Sequence, residues 1–122
     1  MKKILIVDDE RDIREMVAKK LRLNRYEAKT AASGVDALEL CAQENFNLVI
    51  MDIAMPQMNG YETVERLKQN PALQDLPILL MTGHDLDPQG MAKRHEKLQV
   101  TGFIAKPSTF EELLQKVKEV IG

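Results

Sequence analysis

This 122-residue chain has one cysteine, no aliphatic run longer than six residues and no basic block longer than two, and each shortage removes a class of protein. With the single thiol of Cys41 no internal disulfide can form, which fits a reducing compartment. A membrane span needs about 20 consecutive apolar residues. The opening MKKILIVDDE turns acidic after four aliphatic residues and lacks the small-residue cleavage site of a signal peptide. No membrane role is therefore expected, and the expected location is cytoplasmic. The 17 Lys and Arg against 19 Asp and Glu leave a net charge of −2 with no basic face, so direct binding of nucleic acid is not expected. Repeats, low-complexity stretches and linker-like segments are also missing. One domain, 1–122, is expected, large enough to bury roughly two-thirds of its extended surface.

What is present is an alternation. Apolar residues make 44% of the chain and charged residues 30%, the composition of a globular protein. Short aliphatic runs read as strands at 3–7, 26–31, 47–51, 77–81 and 102–105, with helix-period segments between them. The first helix, about 10–23, puts Ile13, Met16, Val17, Lys20 and Leu21 on one side. The second, about 34–43, carries a stripe of Val35, Leu38, Cys41 and Ala42, on which Cys41 is expected to be a buried, packing thiol. The third starts at Gly60, with Val64 and Leu67 inward. A fourth at 87–98 is weak, because Gly90 interrupts it. The C-terminal segment STFEELLQKVKEVIG has the clearest start, since Ser108 or Thr109 could each form a capping box with the glutamate three residues on. Its apolar face is Phe110, Leu113, Leu114, Val117, Val120 and Ile121.

Repeated β-α units predict an α/β fold with a doubly wound parallel sheet, and in such sheets ligands gather at the carboxyl ends of the strands. That rule gathers Asp8 and Asp9 from the first strand, Asp52 from the third, Thr82 from the fourth and Lys106 from the fifth. Three converging carboxylates call for a cation, and a hard divalent ion that takes oxygen ligands suits them. A lysine beside them suits an anion, and the combination suits phosphoryl transfer. Each residue alone has a plainer reading. Asp9 could cap the first helix, Thr82 could be an ordinary strand end, and Lys106-Pro107 could be a strand end before a turn. Their joint placement is what argues for a site. His84 and His95 as metal ligands are not expected, because no soft-ligand cluster accompanies them.

Four stretches carry a resemblance: ILIVDDE at the first strand, LVIMDIAMPQMNG around Asp52, PILLMTG leading to Thr82, and GFIAKP ending in Lys106-Pro107. With these at their spacing, the chain resembles a response-regulator receiver domain over its whole length. The resemblance implies a flavodoxin-like sheet of five parallel strands in order 2-1-3-4-5 with helices on both faces. It implies that Asp52 accepts a phosphoryl group, and that Mg2+ (or Mn2+) is held by Asp9, Asp52 and the backbone carbonyl of Ala54, with Asp8 acting through water. Lys106 would pair with Asp52 at rest and with the phosphoryl group afterwards, and Pro107 would follow a cis bond. Thr82 would turn its hydroxyl to the phosphoryl group while Phe103 turns inward, altering the surface of the fourth helix, fifth strand and fifth helix. The plainer reading of Phe103 is a core residue of its strand.

The implied partners are a histidine kinase or phosphotransfer protein as donor and a downstream protein or output domain. Kinase docking is expected at Ile13, Arg14 and Val17 and at the loop of Pro107-Ser108. The chain itself would be a monomer or a phosphorylation-dependent dimer. It would be a switch rather than an enzyme with a separate substrate, with self-catalysed phosphorylation and dephosphorylation only. Two alternatives differ in class. An Mg2+-dependent aspartyl phosphatase would need a second acid two residues past the nucleophile, where Ala54 stands, and an unphosphorylated scaffold would have no need of all five polar residues. Departures from the family pattern are Asn24-Arg25 where a glycine is common before the aromatic, with Asn24 expected to take the left-handed turn, and Gln99 before the fifth strand. Ala54 and His84 occupy positions that govern phosphoryl lifetime in the family; Ala54 cannot orient water, whereas His84 could.

Overall fold

The computed structural model describes residues 1–82, 100–105 and 109–122. The helix expected at 87–98 lies outside them, as do His84, His95, Gln99, Lys106, Pro107 and Ser108. In chain order the described elements are β1 (Lys3–Val7), α1 (Arg11–Leu23), β2 (Glu27–Ala31), α2 (Gly34–Gln43), β3 (Leu48–Asp52), α3 (Gly60–Lys68) and a 3-10 turn (Pro71–Leu73). They continue with β4 (Ile78–Thr82), β5 (Gly102–Ala105) and the C-terminal helix (Phe110–Ile121). The five strands are all parallel, in the order β2-β1-β3-β4-β5. The doubly wound sheet expected from the alternation of runs is thus observed.

Ile4 to Val7 and Leu48 to Met51 are all fully buried, which is why β1 and β3 read as continuous aliphatic runs without a polar face. Because successive side chains point to opposite faces, these strands feed two cores. Leu5, Val7, Val49, Met51 and Leu80 pack with Ala37, Cys41, Val64 and Leu67 of α2 and α3. Ile4, Ile6, Leu48, Ile50 and Met81 pack with Val17, Ala18 and Leu21 of α1 and with Leu113, Val117 and Ile121 of the C-terminal helix. Fully burying one such side chain stabilises by about 1.5–3 kcal/mol. Lys68 joins α3 to the approach of β4, its ammonium donating to the carbonyls of Gln74 at 2.7 Å and Leu76 at 3.0 Å. Burial holds that ammonium below the usual lysine range, opposed by Asp75.

Three local expectations need correction. In α2 the buried line is Gly34, Ala37 and Cys41, whereas Val35 and Ala42 are exposed. Small residues let this helix lie close to its neighbours, and the bulkier Val35 is turned to solvent. In α1 Met16 is exposed and Ala18 takes its place in the core. After α1 it is Arg25, not Asn24, that adopts the left-handed conformation, with φ 71°. Asn24 instead donates from its side chain to the carbonyl of Lys20 at 2.8 Å, closing the last turn of the helix. For the C-terminal helix the choice between two caps falls to Thr109, whose hydroxyl accepts from the Glu112 amide at 3.2 Å.

Candidate functional site

The site is built where β1 and β3 end side by side. Their register pairs Val7 with Met51, so Asp8 and Asp52 follow as neighbours one step further along the two strands. Both are buried, Asp8 fully and Asp52 at 3% exposure. Asp9, the next residue in the loop, is exposed. Carboxylate oxygens of Asp8, Asp9 and Asp52 all lie within 4.8 Å of one another. A hard divalent ion of the Mg2+ kind takes oxygens in such an arrangement and keeps several waters, so the donor set present fits it.

Backbone amides help to hold the buried acids in place. Asp8 accepts at Oδ1 from the amide of Glu10 at 2.9 Å, its own amide donates to the carbonyl of Ala31 at 3.2 Å, and its carbonyl accepts from Arg14 Nη1 at 3.2 Å. Asp52 Oδ1 accepts from the amide of Ala54 at 3.3 Å. The residue flanking α1 is Glu10, which makes no side-chain cap bond, so the plainer reading of Asp9 as helix cap is not realised.

The loop after Asp52 folds back hard on the strand. The amides of Met55 and Gly60 both donate to the carbonyl of Ile53 at 3.0 Å. Gly60 then lies so close that a Cβ there would stand 2.5 Å from the Asp52 carbonyl oxygen and 2.8 Å from Ile53 Cα. Gln57 turns the loop with φ 66°. Asn59 starts α3, its side chain accepting from the amide of Glu62 at 3.0 Å and its carbonyl from the buried Thr63 hydroxyl at 2.9 Å. Gly60 was legible as the start of the helix. The Asn59 cap has its own signal in the sequence, an Asn three residues before Glu62.

Around this centre, Ala54 is exposed at the start of the loop. Thr82 ends β4, one step beyond Met81, the register partner of Asp52. Phe103 pairs in register with Leu80 and is half-buried, packed against the core on the α2 and α3 side. Asp8, Asp9 and Asp52 are thereby brought together, Ala54 and Thr82 sit beside them in the chain and the sheet, and Phe103 stands on the next strand but one. Lys106, Pro107 and His84 lie outside the described residues. The sequence offers Arg14 only as a docking residue, and its bond to the Asp8 carbonyl has no signal there. Cys41 is buried, and burial pushes its thiol up to about 11, as expected of a packing cysteine.

The profile of the response regulator receiver domain family matches residues 4–118. The response regulator MprA of Mycobacterium sp. (strain KMS) is 33% identical over 121 residues, covering 98% of this chain and 50% of that protein. The chain thus spans about half the length of the curated relatives it matches. Among solved structures, the chemotaxis protein CheY4 of Vibrio cholerae superposes with a TM-score of 0.91 at 33% identity over 98% of both chains. The receiver domain of a signal transduction histidine kinase from Syntrophus aciditrophicus does so at 0.88 with 29% identity, over 99% of this chain and 90% of that one.

Proposed function

The chain belongs to the response-regulator receiver domain family of two-component signalling, and from that premise we propose that residues 1–122 form one receiver domain whose phosphoryl acceptor is Asp52. The observation that carries the proposal is the placement of a buried strand-end carboxylate within 4.8 Å of two others. In the step, an oxygen of Asp52 bonds to phosphorus while the phosphorus–nitrogen bond of a donor phosphohistidine breaks, and the departing imidazole nitrogen takes a proton from water. The product is an acyl phosphate on Asp52. Asp9, Asp52 and the Ala54 carbonyl would hold Mg2+, with Asp8 acting through its waters. That ion, when bound, supplies charge neutralisation for phosphoryl oxygens approaching an acidic pocket.

The remaining roles rest on the same premise. Lys106 grips a phosphoryl oxygen, Thr82 donates its hydroxyl to another, and Phe103 turns inward behind it, with Pro107 fixing the loop and His84 tuning the lifetime of the acyl phosphate. A histidine kinase or phosphotransfer protein is the donor, and a downstream protein reads the changed surface. The half-buried position of Phe103, at the margin of the core, supports a residue with both an inward and an outward packing. Among the described residues no helix is long and apolar enough to cross a membrane.

Intact-mass spectrometry after incubation with acetyl phosphate, with and without Mg2+, tests the acceptor. The expected result is one phosphoryl adduct that requires Mg2+ and is absent from Asp52→Asn. An equal adduct on Asp52→Asn would move the acceptor elsewhere. No adduct from acetyl phosphate or from a panel of phosphorylated kinases would overturn the switch reading.

A further inference from the structure

Arg14 sits one turn into α1, where its backbone amide donates to the carbonyl of Glu10 at 3.1 Å. Its side chain does not run out into solvent. It turns back over the first turn, as long side chains on helices do, and is only 16% exposed. Nη1 donates to the backbone carbonyl of Asp8 at 3.2 Å, while Nε stands 4.0 Å from Glu15 Oε1. The carbonyl of Asp8 and the amide of Asp9 belong to one planar peptide unit, so a group that holds the carbonyl also sets the plane from which Asp9 departs. Two further hydrogen bonds fall on Asp8 itself, its amide donating to the Ala31 carbonyl and its carboxylate accepting from the Glu10 amide. Asp9 is exposed, and among the described residues the guanidinium on the preceding carbonyl is a restraint one peptide bond away from it.

We propose that Arg14 is a positioning residue for the metal site, orienting the Asp8–Asp9 peptide so that the Asp9 carboxylate faces those of Asp8 and Asp52. This rests on the reading of the three acids as a divalent-cation site and adds to it a residue that touches neither metal nor phosphoryl group. The role differs in kind from docking, because it acts on the isolated domain with no partner present. It also differs from simple electrostatics. A nearby positive charge disfavours a divalent cation, so if charge were all that Arg14 contributed, removing it would tighten binding. A positioning role has the opposite sign.

The experiment is a calorimetric Mg2+ titration of the wild type, Arg14→Met, Arg14→Gln and Arg14→Lys, with a thermal melt of each in EDTA. Met keeps the stem and loses every donor, Gln is too short to reach the carbonyl, and Lys keeps both a charge and a donor on a long stem. The expected result is Mg2+ binding about tenfold weaker in Met and Gln, the scale on which losing the partner of a metal ligand acts, with Lys closer to the wild type. The metal-free melt serves to identify folded variants, and either neutral variant, once folded, carries the test. Folded neutral variants that bind Mg2+ as tightly as the wild type, or more tightly, overturn the inference while leaving the metal reading intact. A wild type that binds no Mg2+ at all sinks both.

Discussion

At the amino edge of the sheet, Glu44 accepts a hydrogen bond from Lys29 at 2.6 Å and another from Lys3, whose ammonium also lies 4.9 Å from the Phe46 ring centre. On the other face of that edge, Lys2 donates to the Ile121 carbonyl, where the C-terminal helix ends and its dipole favours a cation. At the carboxyl edge, Asp8, Asp9 and Asp52 converge, with amides, a guanidinium and tight backbone turns around them. The amino edge is an ordinary solvated network of opposite charges, in which each group is replaceable at small cost. The carboxyl edge gathers like charges, two of them in buried positions, an arrangement that stability alone does not call for. One edge should respond to pH and salt, the other to changes of shape measured in tenths of an ångström.

The largest contrast is expected from a single methyl group at Gly60. In Gly60→Ala the new Cβ would meet backbone atoms of Asp52 and Ile53 at 2.5 and 2.8 Å, and backbone cannot turn aside as a side chain can. A loss of about 3 kcal/mol is expected, the upper end for overpacking, together with weaker Mg2+ binding because Asp52 itself must move. Thermal melting and a Mg2+ titration check both. A variant that melts and binds like the wild type would mean the loop after β3 has slack, and the steric account of this edge would fall.

Gly34→Ala should be milder, and it probes the support behind the same loop. Here the Cβ meets the Thr63 hydroxyl oxygen at 2.2 Å and Met58 Sδ at 3.1 Å, both on side chains. Thr63 can rotate away by giving up its bond to the Asn59 carbonyl, so about 1–2 kcal/mol is expected. Combining it with Thr63→Ala should recover part of that loss, and strictly additive losses in the double mutant would show that the two residues do not collide.

Arg25→Gly is expected to work in the other direction, at the turn that leads from α1 into β2. A non-glycine residue at φ 71° carries roughly 1–2 kcal/mol of strain. Glycine relieves it but gives back about 0.5–1 kcal/mol in unfolded-chain freedom. A net gain of about 0.5 kcal/mol should appear in denaturant melts, with Mg2+ affinity unchanged. A loss of stability would mean that the Arg25 side chain contributes more than its backbone costs.

How far these features could be read beforehand differs between the edges for a physical reason. The central strands follow from aliphatic runs, because strands buried on both faces leave little else to put there, and the acids stand out as the residues that end those runs, whereas the strand order came with the family resemblance. Close packing is another matter. The buried line of α2 runs through Gly34, Ala37 and Cys41, residues too small to dominate an apolar pattern, so Val35 was read inward although it faces solvent. Arg25 takes the left-handed turn that Asn24 was expected to take because Asn24 is committed to the Lys20 carbonyl. Arg14 was legible as a charge on a helix but not as a hydrogen-bond donor to Asp8, since that contact depends on how the helix is set against the loop. Charge type and periodicity travel in the sequence; approach distances do not.

The amino edge itself should give the smallest effect, and one with a definite sign. The hydrogen bonds from Lys29 and then Lys3 hold the Glu44 carboxyl below its ordinary value of 4.5, outweighing the opposing effect of burial. A carboxyl whose folded value is depressed contributes stability that is fully present above the unfolded value and is lost as pH falls through the folded one. Glu44 should therefore add to stability at neutral pH and cease to do so below the ordinary glutamate range. Melting temperatures from pH 7 down to pH 3, compared between the wild type and Glu44→Gln, should converge as the pH falls and differ most at neutrality. Because Lys29 is about half exposed, added salt should shrink the neutral-pH difference. Curves that run parallel through the whole range would mean that the two lysines are held at this edge by packing, including that of Lys3 on Phe46, with the carboxylate charge contributing nothing measurable.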